Sequence, residues 1–459
     1  MTLKDERVFD LNRRRWVDAR SFLLSLALLL ALASPAAAKV QLTYYHRSNI
    51  TEAEWAKAVI ERFNAAHPHI EVISLPSGTG GGPEYAEKLA VLRASGTAPD
   101  IFFGSTDKLG YILKGWALDL TPFIERDRAE LQMESFFPGV WDSFTREGRI
   151  YGVPLTVTPQ LLFYNKDMFQ SAGLPFLPLS WDDPEWTWDQ LVEYSKKLTR
   201  FDASGAAERL ALAQATESHL PDVVWMFGGD WFDEDAYRTG RARRATFTRP
   251  ENVEAYTALV EYYAQYAAAG PPKGISAGSG FANGLIAMDW IGAWKTNSYI
   301  EASRSGGMGF DWGIGPVPLV KNRANTRWTD PLYISSTTEY PEEAWTFVKF
   351  AANAQSQALW SQMTAKIPAR SVSVDAFVQS LSSVSGMSEE EVLISVSEAL
   401  AHSRTSLEES IADVQLEIVG LRGEYIEPML AGNRPVLSTL QALEEVINAK
   451  LAELSRANR

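Results

Sequence analysis

The sequence predicts an α/β protein, with mostly parallel strands covered by helices. Three observations predict it. Strand-like and helical patterns alternate without interruption from Gln41 to Phe103. A second strand-and-helix pattern begins near Tyr151. The chain of 459 residues also holds two or three domains' worth of sequence, with ample apolar residues for a core.

Each element has its own signal. Gln41–Tyr45 is a short strand-like run. Thr51-Glu52-Ala53-Glu54 has the form of a capping box, and the helix it opens carries Trp55, Val59 and Phe63 at four-residue spacing. Pro68 stops that helix, and Ile70–Leu75 reads as the second strand. A Gly-rich loop at 78–82 leads into a helix over Glu84–Ala94, closed by Gly96, and Ile101-Phe102-Phe103 is a buried strand ending at Gly104. Strand, helix, strand, helix, strand implies a parallel sheet under helices. Beyond Tyr151 the apolar run Leu161–Tyr164 precedes a Pro/Trp-rich loop and helices over Asp189–Leu198 and Val253–Tyr266. Glu342–Met363 reads as one amphipathic helix, and residues 371–459 as helix-rich and polar.

Residues 1–38 have the composition of a secretory signal. Arg13, Arg14, Arg15 and Arg20 form a basic region, Phe22–Ala33 is apolar, and Ala36-Ala37-Ala38 supplies small residues for peptidase cleavage after Ala38. The apolar run is about half of what a membrane-spanning helix needs. The sequence thus predicts a soluble, exported chain that sits in the periplasm or is secreted.

Composition excludes several classes. Formal net charge is −14, and the acidic excess argues against nucleic acid and anionic membrane surfaces. There is no cysteine, which removes disulfides, thiol catalysis and Cys-ligated metals. No metal or other cofactor is expected, since the five histidines form no ligand cluster in sequence. Fifteen tryptophans are more than packing alone demands and suggest flat apolar surfaces for ligand stacking.

Five ordered stretches carry a resemblance. They are Phe63-Asn64 with Pro68–Val72; Ala94-Ser95-Gly96-Thr97-Ala98-Pro99-Asp100-Ile101-Phe102-Phe103; Tyr151-Gly152-Val153-Pro154 followed by Phe163-Tyr164-Asn165-Lys166-Asp167; Phe281–Met288 with Gly292-Ala293-Trp294; and Pro341–Phe350. Together they resemble the extracellular solute-binding proteins of ABC importers, the sugar-binding family that includes maltose-binding protein. The resemblance implies a two-lobed periplasmic-binding-protein fold of type II, with each lobe a mostly parallel sheet flanked by helices and the ligand cleft between lobes. The implied lobes are 39–157 plus 316–365 and 158–315 plus 366–459, with chain passages at Thr156–Pro159, Asp311–Gly315 and Met363–Pro368. Ligand would lie beyond the carboxyl ends of the strands.

The candidate ligand-binding residues follow from that placement. Asp107 and Lys108 match an acidic–basic pair that binds sugar hydroxyls in the family, where a charged acceptor and donor strengthen the hydrogen bonds. Trp294 matches a sugar-stacking tryptophan, with Trp290 nearby; such a face hides roughly 1–2 kcal/mol of apolar area. Thr158 stands where the relatives carry a carboxylate, and Gly104 where they often carry an aromatic. Trp225, Asp230, Trp328, Arg370 and His46 complete the set, against the ordinary reading of each as core or surface. The acidic balance and few cleft cations weigh against a phosphorylated ligand.

The Gly274-Ile275-Ser276-Ala277-Gly278 stretch has the spelling of a nucleophile elbow but lies between Pro271-Pro272 and Gly280, without a strand before it. The expected function is the substrate-binding component of an ABC importer for a sugar, oligosaccharide or polyol: not an enzyme, a monomer, and partnered by inner-membrane permease subunits. The competing readings are an exported glycoside hydrolase using paired cleft carboxylates and a binding protein coupled to a sensor.

Overall fold

The computed structural model describes residues 39–105, 107–212, 220–267, 279–412 and 421–457. The export segment 1–38, its cleavage site and the Gly274–Gly278 motif lie outside the described residues.

Strand β1 (Val40–His46) pairs in parallel with β2 (Ile70–Pro76) and β3 (Ile101–Phe103). Helix α1 (Ile50–Ala66) joins β1 to β2, and α2 (Pro83–Ala94) joins β2 to β3. This is the alternation read from the sequence. Helix α1 starts differently from expectation: it begins at Ile50 after Asn49, which gives no side-chain cap, and Thr51 lies inside the first turn, so no capping box forms with Glu54.

The 14-residue strand β4 (Gly152–Asn165) organises everything else. Its first half pairs antiparallel with β8 (Asn325–Ile334), from Gly152–Tyr333 to Pro159–Arg327. Its second half pairs with β6 (Ile286–Gly292) and β7 (Trp312–Gly315). Strand β5 (Ala207–Leu212) then adds in parallel to β6, and β8 closes onto β3.

Two hydrophobic cores divide along β4. Val153 and Leu155 belong to the first, with Leu42, Trp55, Phe63, Ile101 and Leu332. Val157, Leu161 and Phe163 belong to the second, with Trp186, Met288 and Ile314. The division falls at Thr156, and each large apolar side chain so buried stabilises its core by roughly 1.5–3 kcal/mol.

Late sequence completes the first core. Helices α7 (Pro341–Ala351) and α8 (Ala354–Thr364) place Trp345, Phe347, Val348 and Trp360 there. Trp55 donates to the Ser356 carbonyl at 2.9 Å and meets Trp360 edge-on. The sequence reads these as one helix; the structure breaks it because Asn353 accepts from Ser356 N–H and starts a second helix.

Besides Phe136, Phe137 and Val140, which reach into the second core ahead of β4, three segments carry the chain between the cores. One is Thr156–Pro159 within β4, and another is the stretch through Ile367 and Ala369, bonded to Val157 and Leu155. The passage expected at Asp311–Gly315 does not occur there. That segment is β7, paired with the second half of β4, and Val317 and Ala324 still pack in the second core. The passage is β8, because its antiparallel register with β4 carries the chain back along the same line.

Gly104 ends β3 against Pro331, and a β-carbon there would lie 2.5 Å from the Pro331 ring. No aromatic fits in that space, so the departure from the family pattern at Gly104 is built into the packing. Gly104→Ala should therefore cost about 1–3 kcal/mol of stability, read as a lowered urea midpoint with unchanged slope.

Candidate functional site

The carboxyl end of β1 and the passages come together around a chain of alternating charges. Arg47, just after β1, donates to Glu52 at 2.7 Å and to Asp330 at 3.1 Å, and its guanidinium lies over the Phe103 ring. Lys366, on the last passage, closes on the other oxygen of Glu52. Asp330, in β8, takes Lys108 at 2.6 Å. Lys108 opens helix α3 (Lys108–Leu113) and also reaches Glu409. Glu409 accepts further bonds from Ser143 Oγ at 2.7 Å and from Thr329 N–H at 3.1 Å. Lys366–Glu52–Arg47–Asp330–Lys108–Glu409 is thus one buried or half-buried line of three cations and three anions.

The electrostatics follow from burial set against pairing. Burial pushes the Asp330 carboxyl up, but Lys108 and Arg47 outweigh it and hold it below its usual range. Glu52 is held low in the same way by Arg47 and Lys366. Burial would lower the Lys108 ammonium, yet Asp330 and Glu409 keep it well above its ordinary value. For Glu409 burial wins over Lys108, and its carboxyl is raised.

Beside this line stands an aromatic corner. Trp328, two residues before Asp330 on the same strand, pairs in register with Thr158. Trp294 meets Trp328 edge-on at 5.0 Å between ring centroids. Trp294 is 40% exposed although it is a large apolar side chain. It lies beyond the end of β6, folded back over Gly292, where a β-carbon would strike its ring.

The other sequence-based candidates separate into two groups. Asp107 is exposed, with a left-handed backbone (φ 55°) and a 2.6 Å bond from Lys114; adjacent to it, Lys108 is only 5% exposed. The two therefore point to different surroundings. Trp290, inside β6, is 5% exposed and belongs to the second core. Trp225 is also in that core, and its open face is covered by the Arg404 guanidinium at 4.2 Å. Asp230 accepts from Arg404 at 3.0 Å and from Tyr237. His46 is buried between Ser74 Oγ and the Arg47 carbonyl. Arg370 is 2% exposed and spends its donors on the carbonyls of Ala352, Leu131 and Gln132 and on Ser135 Oγ, over the Phe136 ring. Burial makes Trp290, His46 and Arg370 parts of the frame rather than of an open surface. Sequence reasoning missed Arg47, Glu52, Lys366 and Glu409 here: Glu52 reads only as part of a helix start, the other three sit in no motif, and Glu409 is separated from its partner Lys108 by most of the chain.

Two cores, passages shared through paired strands, and polar and aromatic groups gathered where the strands cross define a two-lobed periplasmic-binding-protein fold of type II. The chain belongs to the bacterial extracellular solute-binding protein family, whose model matches residues 47–358. It is 24% identical over 305 residues to the maltodextrin-binding protein MdxE of Bacillus subtilis. That match covers 62% of this chain and 64% of MdxE, under two thirds of the relative's length. The solved structure of the ABC substrate-binding protein Lmo0181 from Listeria monocytogenes, in complex with cycloalternan, superposes with a TM-score of 0.70 at 23% identity, over 90% of this chain and 99% of that one. The sugar-binding protein MalE from Xanthomonas citri gives 0.72 at 19% identity, over 91% and 99%.

Two predictions come from this geometry. Lys108→Met leaves the Asp330 and Glu409 carboxylates facing each other out of water, so it should destabilise the fold by about 3–5 kcal/mol. Adding Glu409→Gln should restore part of the loss, and urea unfolding of both variants reads the difference. The second concerns Asp289 in β6, buried and bonded by Tyr299. Burial pushes its carboxyl up to about 6, more than Tyr299 lowers it. The folded chain then keeps a proton that the unfolded chain releases, so this contribution is complete below about pH 4 and is lost as pH rises to about 6. Asp289→Asn should remove that decline, on the order of 3 kcal/mol, from the stability–pH curve.

Proposed function

We propose that this protein is the substrate-binding component of an ABC importer, taking a sugar, oligosaccharide or polyol between its lobes and presenting it to membrane permease subunits. The observation that carries the reading is the exposed Trp294 held edge-on to Trp328 beside charged groups already fixed in place. A sugar ring offers a C–H face for an indole and hydroxyls for polar neighbours, so this pairing of surfaces suits it. Within this reading Trp294, Trp328, Thr158 and Asp107 contact ligand directly. Lys108 positions Asp330, while Trp225 and Asp230 are available once Arg404 moves aside.

The lobes are the units that close. We place one around the first core, through residues 39–155, β8 and α7–α8, and the other around the second core. Binding selects the closed arrangement, and the permease reads that state. The protein works in the periplasm as a monomer after removal of residues 1–38, and it breaks no bonds. The network carboxylates Glu52, Asp330 and Glu409 are each tied to Lys or Arg, which suits positioning more than proton transfer. MdxE, named for maltodextrin, and Lmo0181, seen with cycloalternan, support a glucan-like oligosaccharide as the first ligand to try.

A thermal-shift screen of neutral saccharides and polyols tests the reading, since a ligand at a hundred times its Kd stabilises the native state by about 2.7 kcal/mol. Trp294→Ala should then weaken the saccharide found by about 1–3 kcal/mol, roughly 5- to 150-fold, in calorimetry. Recovery of chemically altered saccharide in proportion to added protein would instead establish the hydrolase.

A further inference from the structure

Three arginines from three distant segments line one cavity of about 330 Å³ at the junction of the lobes: Arg146, Arg327 and Arg404. Arg146 follows Phe144 of the first lobe, Arg327 enters on β8, and Arg404 lies in β9 (Ser403–Thr405), the short strand parallel to β8. Tyr237, Ser403, Thr405 and Ser410 add hydroxyls to the lining, and Asp142 adds one carboxylate.

The charge in this cavity is only partly compensated. Arg146 gives its terminal nitrogens to backbone carbonyls alone: Asp142 at 2.9 Å, Thr145 at 2.6 Å and Glu409 at 2.6 Å. Its Nε is buried and makes no hydrogen bond among the described residues. Arg327 is 4% exposed, and its Nε is likewise buried and unpartnered among the described residues. Its other nitrogens hold the Ser403 and Gly139 carbonyls, Thr405 Oγ1 and, at 2.8 Å, one oxygen of Asp142. Asp142 is itself 67% exposed and so screened by water. Arg404 holds Asp230 and stacks on Trp225 and Tyr237, with 42% of its side chain open. Of the other acids nearby, Glu409 has its carboxylate committed to Lys108, Ser143 and Thr329 N–H, and Asp222, buried near Arg404 and bonded by Thr326, has its carboxyl pushed up by burial. Burial pulls the pKa of both Arg146 and Arg327 below the ordinary arginine value, against smaller opposing contributions from Asp142 and Glu409. Arg327 thus has one water-exposed carboxylate against it, and Arg146 has backbone carbonyls only. Asp142 pairs with Arg327 and Asp230 with Arg404, so Arg146 is the guanidinium of the three with no carboxylate partner among the described residues.

We propose that this cavity binds an oxyanion, a phosphate or carboxylate group, with the Arg146 and Arg404 guanidinium groups as its principal donors and Arg327 behind them. Planar guanidinium forks match such groups in pairs of parallel hydrogen bonds. The cavity is large enough for the anionic group together with the sugar or polyol that bears it. The paucity of cleft cations expected from the sequence therefore does not hold at this place. The inference goes beyond the neutral-carbohydrate reading and stands or falls separately from it.

Calorimetry on the purified protein with inorganic phosphate, glucose 6-phosphate, galacturonate and, as neutral controls, glucose and galactose tests it. The variants are Arg146→Gln and Arg404→Gln, checked for folding by circular dichroism. The expected result is binding of at least one anionic probe more tightly than its neutral counterpart, weakened about tenfold or more in a folded variant. Binding of inorganic phosphate alone identifies a free-anion site; binding only of glucose 6-phosphate or galacturonate identifies the anion as part of the transported ligand. Either supports the proposal, even if no neutral saccharide binds. Absence of anion binding, or anion binding equal in the wild type and both variants, overturns it, whatever the saccharide screen returns.

Discussion

The alternating line of Lys366, Glu52, Arg47, Asp330, Lys108 and Glu409 is the constraint on which the rest of the molecule depends. Its members come from the end of β1, the first turn of α1, the start of α3, strand β8, the last passage and the segment after β9. Each inner member faces two partners of opposite sign. A buried charge with a missing neighbour costs several kcal/mol, whereas the full set is self-compensating. The line therefore fixes where six segments can lie relative to one another, more sharply than apolar packing does. Apolar contacts tolerate small slips; a charge separated from its partner in a dry place does not.

That constraint also sets what the site can offer. Lys108 and Asp330 hold each other, so neither is a loose group searching for a partner. The aromatic corner of Trp294 and Trp328 stands two residues away from Asp330 along β8, which brings an apolar face and fixed dipoles to the same edge. Preorganised groups of this kind lose little freedom when a ligand arrives.

Much of the fold was legible in the sequence, and the reasons are local. The strands β1 to β3 and helices α1 and α2 each carry their own period and stop signals. Trp55, Val59 and Phe63 mark a helix face whatever it packs against. The division of α7 from α8 was not legible, since Asn353 as a cap looks like any polar residue in an amphipathic stretch. The passage on β8 was misplaced because sequence shows a strand's composition but not its neighbour. At the site, adjacency misled: Asp107 and Lys108 look like one pair, yet the left-handed turn at Asp107 sends them apart. Trp290 and Trp294 are four residues apart and equally aromatic, and only the end of β6 between them makes one core and the other exposed. Glu409 and Arg404 carried no sequence signal, because their roles exist only once the chain has returned from three hundred residues away.

Strands β4 and β8 cross between the two cores side by side, with the Ile367–Ala369 stretch bonded alongside. This has a consequence for how the protein is made. Trp345 and Trp360 are required to fill the first core, so the earliest residues to leave the ribosome have to wait for some of the later ones. The amino-terminal lobe cannot finish folding while the chain is still short, and most of the sequence must be available before either half is sealed. The order of the chain thus delays its own folding: the topology itself acts as a timer.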